Sequence, residues 1–148
     1  MRRIIAILTA VASLALAGFV IAPQASAASY GCSGTQIDSY PVTTNGGTQY
    51  ATIYLYYDSA TGTNCAVTVA TSAGGYGTAE PTMAYITRCS GTTISSCQNQ
   101  VNSFDQGNYQ YYAGPVSINA AGYCIMVTGS REYNGVNAGE QSPVGHCG

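Results

Sequence analysis

Between residues 50 and 57, inward and outward positions alternate without a break. Ala51, Ile53, Leu55 and Tyr57 fall on one side, and Tyr50, Thr52, Tyr54 and Tyr56 on the other. A period of two carried by aromatic and β-branched residues predicts a strand with one buried face. The pattern returns over 65–70, where Cys65, Val67 and Val69 oppose Ala66, Thr68 and Ala70. Residues 58–64 between them are turn formers, and Gly62 is free to take positive φ. Together these stretches predict a β-hairpin over 50–71, with a loop longer than the two-residue kind.

The same reading extends along the chain. Residues 35–42 predict a first strand, with Ile37 its clearest inward residue and Pro41 near its end. Asn45-Gly46-Gly47 places a turn within 43–48. Three glycines within 72–80 predict a mobile loop, after which Pro81 opens a strand alternating Met83, Tyr85 and Thr87 with Ala84, Ile86 and Arg88. A weak strand is expected at 101–104 and a turn at 105–107. Residues 108–118 are tyrosine-rich and interrupted by Gly114-Pro115, which predicts an edge strand, a bulge or two short strands. A turn at 119–122 leads into a strand over 123–128, and 129–145 reads as polar and irregular apart from Val136 and Val144. The expected fold class is all-β: a single compact, disulfide-stabilised sandwich or barrel-like domain of about seven or eight short antiparallel strands.

Composition sharpens this picture. Beyond residue 27 the only leucine is Leu55 and the only phenylalanine is Phe104, with no tryptophan or lysine anywhere. Thirteen tyrosines, with valine, isoleucine and alanine, must therefore supply the core. The chain opens with a basic Met1-Arg2-Arg3, an apolar run over 4–21 and the small residues Ala25-Ser26-Ala27. That order predicts a secretory signal peptide over 1–27, cleaved before Ala28, and an exported all-β domain over 28–148. A spanning helix is the competing reading of 4–21, since about 18 apolar residues sit at the lower limit. The cleavage site and the missing basic stop-transfer flank favour export, with no membrane contact afterwards. Arg88 and Arg131 then stand against six acidic residues. Binding to nucleic acid or an anionic bilayer needs clustered cations, which this chain lacks.

All six cysteines (Cys32, Cys65, Cys89, Cys97, Cys124 and Cys147) fall in the exported part and predict three disulfides. The simplest of about 15 possible pairings joins Cys89 to Cys97 across a short polar loop. It then joins Cys32 to Cys65 and Cys124 to Cys147.

Catalytic constellations are hard to assemble. His146 is the only histidine and abuts Cys147, no Gly-x-Ser-x-Gly elbow occurs, and a multi-histidine zinc site is excluded by count. Glu80, Asp105, Glu132 and Glu140 are the candidates for a carboxylate pair, and all lie in turn-like contexts. Residues 58–64 lack the dense carboxylates of a calcium loop. The expectation is no catalytic residue, no metal and no cofactor. Tyr54 and Tyr56 share one strand face and Tyr109 and Tyr111 another, so these four are the candidate binding residues, an aromatic platform for sugar rings or a wall polymer.

Several stretches, in order, also resemble a known family. They are the Cys32 lead-in, Ile37-Asp38-Ser39-Tyr40-Pro41, Tyr54-Leu55-Tyr56-Tyr57 leading to Asn64-Cys65-Ala66-Val67-Thr68-Val69, and Tyr112-Ala113-Gly114-Pro115-Val116. Ala120-Ala121-Gly122-Tyr123-Cys124 and the final His146-Cys147-Gly148 complete the set. This order and cysteine spacing resemble the small secreted spore-associated protein A-like proteins. The family pattern has four cysteines, so the resemblance makes Cys89 and Cys97 an added local bridge. It also has a tryptophan shortly after the position of Cys124, where this chain has Ile125-Met126. The resemblance implies export and an extracellular or surface location on cell or spore, and no chemistry. With the tyrosine faces and the missing catalytic constellation, the expected role is structural or adhesive, and the expected partner a cell-wall or spore-surface polymer or another secreted protein. The alternatives are a carbohydrate-binding module and a secreted inhibitor of an extracellular enzyme, the latter presenting loops 72–80 and 89–97.

Overall fold

The computed structural model describes residues 29–148; the predicted signal peptide lies outside them. Eight strands follow one another: β1 (Thr35–Thr44), β2 (Gln49–Asp58), β3 (Thr63–Ala70), β4 (Glu80–Cys89), β5 (Asn102–Tyr109), β6 (Tyr112–Asn119), β7 (Cys124–Tyr133) and β8 (Val136–Gln141). They form one antiparallel sheet in the order β5-β4-β7-β8-β1-β2-β3-β6. Its first and last members, β5 and β6, are joined only by Gln110 and Tyr111 and lie against one another. The sheet therefore curls into a barrel, closed except at this seam.

Asp105 of β5 latches the seam. Its Oδ2 accepts the Gly114 amide of β6 at 2.7 Å, and its Oδ1 accepts the Tyr109 hydroxyl at 2.6 Å. The expected turn at 105–107 is thus a continuous part of β5. Gly114-Pro115 marks the predicted interruption of β6, where the register against β3 shifts between Ala66 and Thr68.

Alternation sorts the side chains. Ala51, Ile53 and Leu55 of β2 point inward with Ala66 of β3, Ala84 and Ile86 of β4, and Ile125 and Val127 of β7. The interior is narrow. A Cβ on Gly129 would stand 2.6 Å from both Ile53 Cγ1 and Thr68 Oγ1, so only glycine lets β7 approach β2 and β3 this closely. On the outer face, Tyr56, Val67 and Val69 pack with the Cys32–Cys65 bridge, and Met126 packs with the other two bridges.

The two ends of the barrel are held differently. All three disulfides have the simplest pairing: Cys32–Cys65, Cys89–Cys97 and Cys124–Cys147. They cluster at the end where β3 and β7 begin and β4 finishes, Cys89 standing directly opposite Cys124. At the other end Arg131 of β7, fully buried, plugs the interior. Its Nε donates to Gly74 O (2.5 Å), Nη1 to Thr82 Oγ1 (2.7 Å) and Tyr109 O (3.2 Å), and Nη2 to Gly75 O (3.1 Å) and Thr78 O (3.0 Å). Five bonds match the five N–H groups of a guanidinium. Burial lowers its pKa, opposed by the charge of Glu80. Residues 72–80 are therefore not the loose loop expected from their glycines: they begin with a 3-10 turn, Ser72–Gly74, and lend three carbonyls to Arg131.

Two further expectations are corrected. Ile37 is not an inward residue: the register shifts between Gln36 and Asp38, leaving Ile37 as the extra residue of a bulge and exposed. Asp38, Tyr40 and Val42 take the inward positions opposite Leu55, Ile53 and Ala51. The stretch 129–145 is not irregular, because β7 runs to Tyr133 and turns through Asn134 and Gly135, both at positive φ, into β8. Asn-Gly between apolar positions is the turn signal that marks this hairpin.

Candidate functional site

Two surfaces stand out, an aromatic face on the outside of the barrel and the open mouth at its disulfide end. The aromatic face grows from β2, β3 and β6. Tyr54 and Tyr56 point outward as the alternation predicts, but Tyr56 is only 4% exposed, covered by the Cys32 lead-in, and Tyr54 is half-buried. The expectation that both rings are open to solvent thus fails for Tyr56. Its cause is the Cys32–Cys65 bridge, which folds the chain ahead of β1 across this part of the sheet.

That lead-in brings its own aromatic ring. Tyr30, held at φ 61, lies parallel to Tyr54 (centroids 6.1 Å apart, interplanar angle 13°) and meets the edge of Tyr112 at 5.2 Å. Tyr76 leans on Tyr111 at 5.0 Å. Partial burial and the neighbouring phenols Tyr54, Tyr56, Tyr76 and Tyr112 raise the pKa of Tyr30, which places these rings in one electrostatic neighbourhood. Tyr30, Tyr76 and Tyr111 are exposed. Tyr109 is not a member of this surface. Its hydroxyl serves Asp105 and its ring packs against the core, so Tyr109 and Tyr111 part company at the turn. Sequence periodicity found Tyr54 and Tyr111; Tyr30, Tyr76 and Tyr112 come from three different segments that only the fold assembles.

At the open mouth, β1 and the chain end build a polar cluster. Tyr40 donates its hydroxyl to Asp38 Oδ2 at 2.8 Å, and His146 Nε2 lies 3.1 Å from the same oxygen and 3.2 Å from the Tyr40 hydroxyl. The Asp38 pKa is lowered: burial opposes ionisation, but the Tyr40 hydroxyl, the Ser39 amide and His146 outweigh it. Burial and this carboxylate push the Tyr40 phenol well above its ordinary value. His146 is thus an exposed histidine beside a structural disulfide, engaged with Asp38. Next to it a cleft of about 220 Å³ is lined by Ile37, Tyr57, Asn64, Ala120, Ala121 and residues 146–148.

The remaining candidates are dispersed. Asp105 is spent on the seam, and no hydrogen bond among the described residues joins Glu80, Glu132 or Glu140 to another carboxylate. Asp58 Oδ1 accepts the Ala60 amide at 2.9 Å, the arrangement of a turn. Arg88 lies over the Tyr123 ring at 4.3 Å. Ile94 on the Cys89–Cys97 loop, and Val101 and Phe104 after it, are individually exposed.

Compared with known proteins, the chain is 32% identical over 135 residues to spore-associated protein A of Streptomyces coelicolor, a match covering 84% of this chain and 77% of that protein. No family model matches the chain, and no solved structure does.

Proposed function

The chain belongs to the spore-associated protein A family, and from that membership we propose that it is a secreted, non-enzymatic protein of the cell or spore surface with an adhesive role. The observation that carries the adhesive role is the outer aromatic face: Tyr30, Tyr76 and Tyr111 exposed, with Tyr54 and Tyr112 behind them. Phenol rings present an apolar face and a polar rim, which suits stacking on sugar rings or on the aromatic and apolar groups of another secreted protein. A leader of the secretory type and three closed disulfides support export. Engagement of all six cysteines in bridges, and of His146 with Asp38, supports a role without turnover.

Fractionating a producing culture into medium, wall and spores tests the location; a protein found only inside vegetative cells ends the proposal. Retention on isolated wall material tests the face. The Tyr30→Ala/Tyr76→Ala/Tyr111→Ala variant should be released at lower salt or detergent than the parent, and equal retention of the two rejects the tyrosine face as adhesive. A second reading, inhibition of an extracellular enzyme, is favoured by the bridged loop that presents Ile94 to solvent. It predicts that the purified protein inhibits a secreted protease or glycosidase and that Ile94→Asp abolishes the effect.

A further inference from the structure

We propose that the open mouth of the barrel binds the acetamido group of an N-acetylated amino sugar, received by the carboxamide of Asn64. This site lies apart from the tyrosine face and does not rest on the adhesive role given to that face.

At this mouth stands a polar side chain that has no protein partner among the described residues. Asn64 is the inward residue of β3 at the disulfide end, opposite Tyr57 of β2 and Ile118 of β6. It is only 4% exposed, no side-chain hydrogen bond among the described residues involves its carboxamide, and its polar atoms are not among those sealed from solvent without a partner. Its carboxamide thus keeps its hydrogen-bonding capacity for whatever fills the cleft, water or a ligand. Thr68, two strand pairs deeper, is also unpartnered, but its hydroxyl is sealed inside the barrel. Asn64 differs because it lines the cleft, where a ligand can reach it. Mouths of β-barrels are recurrent ligand sites, with apolar walls and a few polar groups that fix orientation.

The walls restrict what can enter. Ile37, which the β1 bulge moves out of register, faces Tyr57, Ala120 and Ala121 around the cleft. No lysine or arginine lines it, and its one basic side chain, His146, already faces the Asp38 carboxylate, so a carboxylate or phosphate would find no free counter-charge. The matching group is neutral. It offers one acceptor and one donor at amide spacing to satisfy the Asn64 N–H and C=O, and carries a small apolar substituent for the alanines. A secondary acetamide has this form. A mid-chain peptide amide continues into chain on both sides, whereas an acetamido group carries only a methyl on one. An acetamido group is terminal, and a sugar ring behind it leaves hydroxyls at the rim near His146.

Titrating the isotopically labelled full domain with N-acetylglucosamine, glucose and an N-acetylated amino-acid amide, followed by NMR, tests the assignment. The acetamido sugar should shift the Asn64 side-chain resonances and the Ala120 and Ala121 amides saturably in the millimolar range, as for a single-residue ligand. Glucose should not. Asn64→Leu, of the same size without the amide, should weaken the response about tenfold or more. Ala121→Phe, at an exposed turn, should block it where Asn64→Leu fails to fold. No saturable response, an equal response to glucose, a response to the amino-acid amide alone, or shifts confined to Tyr30 and Tyr111 would each overturn the assignment. Retention on wall material through the tyrosine face can survive Asn64→Leu, so the two proposals fail separately.

Discussion

Replacing Arg131 with methionine removes the plug from one end of the barrel while keeping an unbranched apolar stem. The carbonyls of Gly74, Gly75, Thr78 and Tyr109 and the hydroxyl of Thr82 lose their donors together. Each hydrogen bond to a charged group contributes about 1.5–3 kcal/mol, but a simple sum overstates the loss, because loop carbonyls that swing outward recover water. Methionine also escapes the desolvation of a buried charge, a cost that replacing such groups with apolar residues often recovers. What remains is the cost of those neutral acceptors that stay buried without a donor, about 1–3 kcal/mol each, so with two of the five sealed from water the expected loss is about 3–5 kcal/mol. For a domain of this length it corresponds to roughly 10–25 °C in Tm. Urea unfolding of the oxidised protein followed by circular dichroism measures it, and native-state hydrogen exchange should show faster exchange at the Gly74, Tyr76 and Gly77 amides. Arg131→Lys keeps the charge without the fork and should fall between the two. A loss below about 1 kcal/mol with an unchanged denaturant slope would show that the guanidinium does not hold this end closed.

Ultraviolet titration of the phenols should separate Tyr30, Tyr40 and Tyr109 from the other tyrosines as late-ionising groups. The causes differ: burial first for Tyr30 and Tyr40, and the Asp105 hydrogen bond first for Tyr109. Because the folded values are raised above 10.0, these phenols stabilise the fold below that pH, and the contribution is lost as pH climbs through the folded values. Tyr109→Phe should remove one late component and soften the alkaline loss of stability; an unchanged profile would contradict the seam latch. Disulfide removal should scale with loop length. Cys32→Ala/Cys65→Ala opens a separation of 33 residues and Cys89→Ser/Cys97→Ser one of 8, for expected losses of about 3.7 and 2.5 kcal/mol by chain entropy. A larger loss for the short loop in urea unfolding would refute that ordering.

The sequence made some of this structure legible and hid the rest for physical reasons. Hairpin β2–β3 was plain because one buried face imposes a period of two, and local spacing marked the short Cys89–Cys97 loop. Ile37 misled because a bulge changes side-chain direction without changing composition. Tyr56 misled because alternation reports which face a residue takes, not whether a tethered segment later covers that face. Arg131 was hidden most completely: three of its five partners are backbone carbonyls from a loop more than fifty residues earlier in the chain, and a carbonyl leaves no trace in residue type. The aromatic face was half legible, since Tyr54 and Tyr111 sit in patterned runs, whereas Tyr30 and Tyr76 flank them only after the chain closes. Asn64 looked like one more turn former, and its inward position follows from the register of β3 with β2 and β6.

With the three sulfur bridges gathered at one end of the barrel and the guanidinium plug at the other, the molecule answers different chemistries at its two poles. A thiol reductant attacks only the pole that carries Asn64 and His146, while the Arg131 pole has nothing to reduce. Partial reduction should therefore fray the barrel from the mouth inward, silencing that cleft while the opposite rim is still folded.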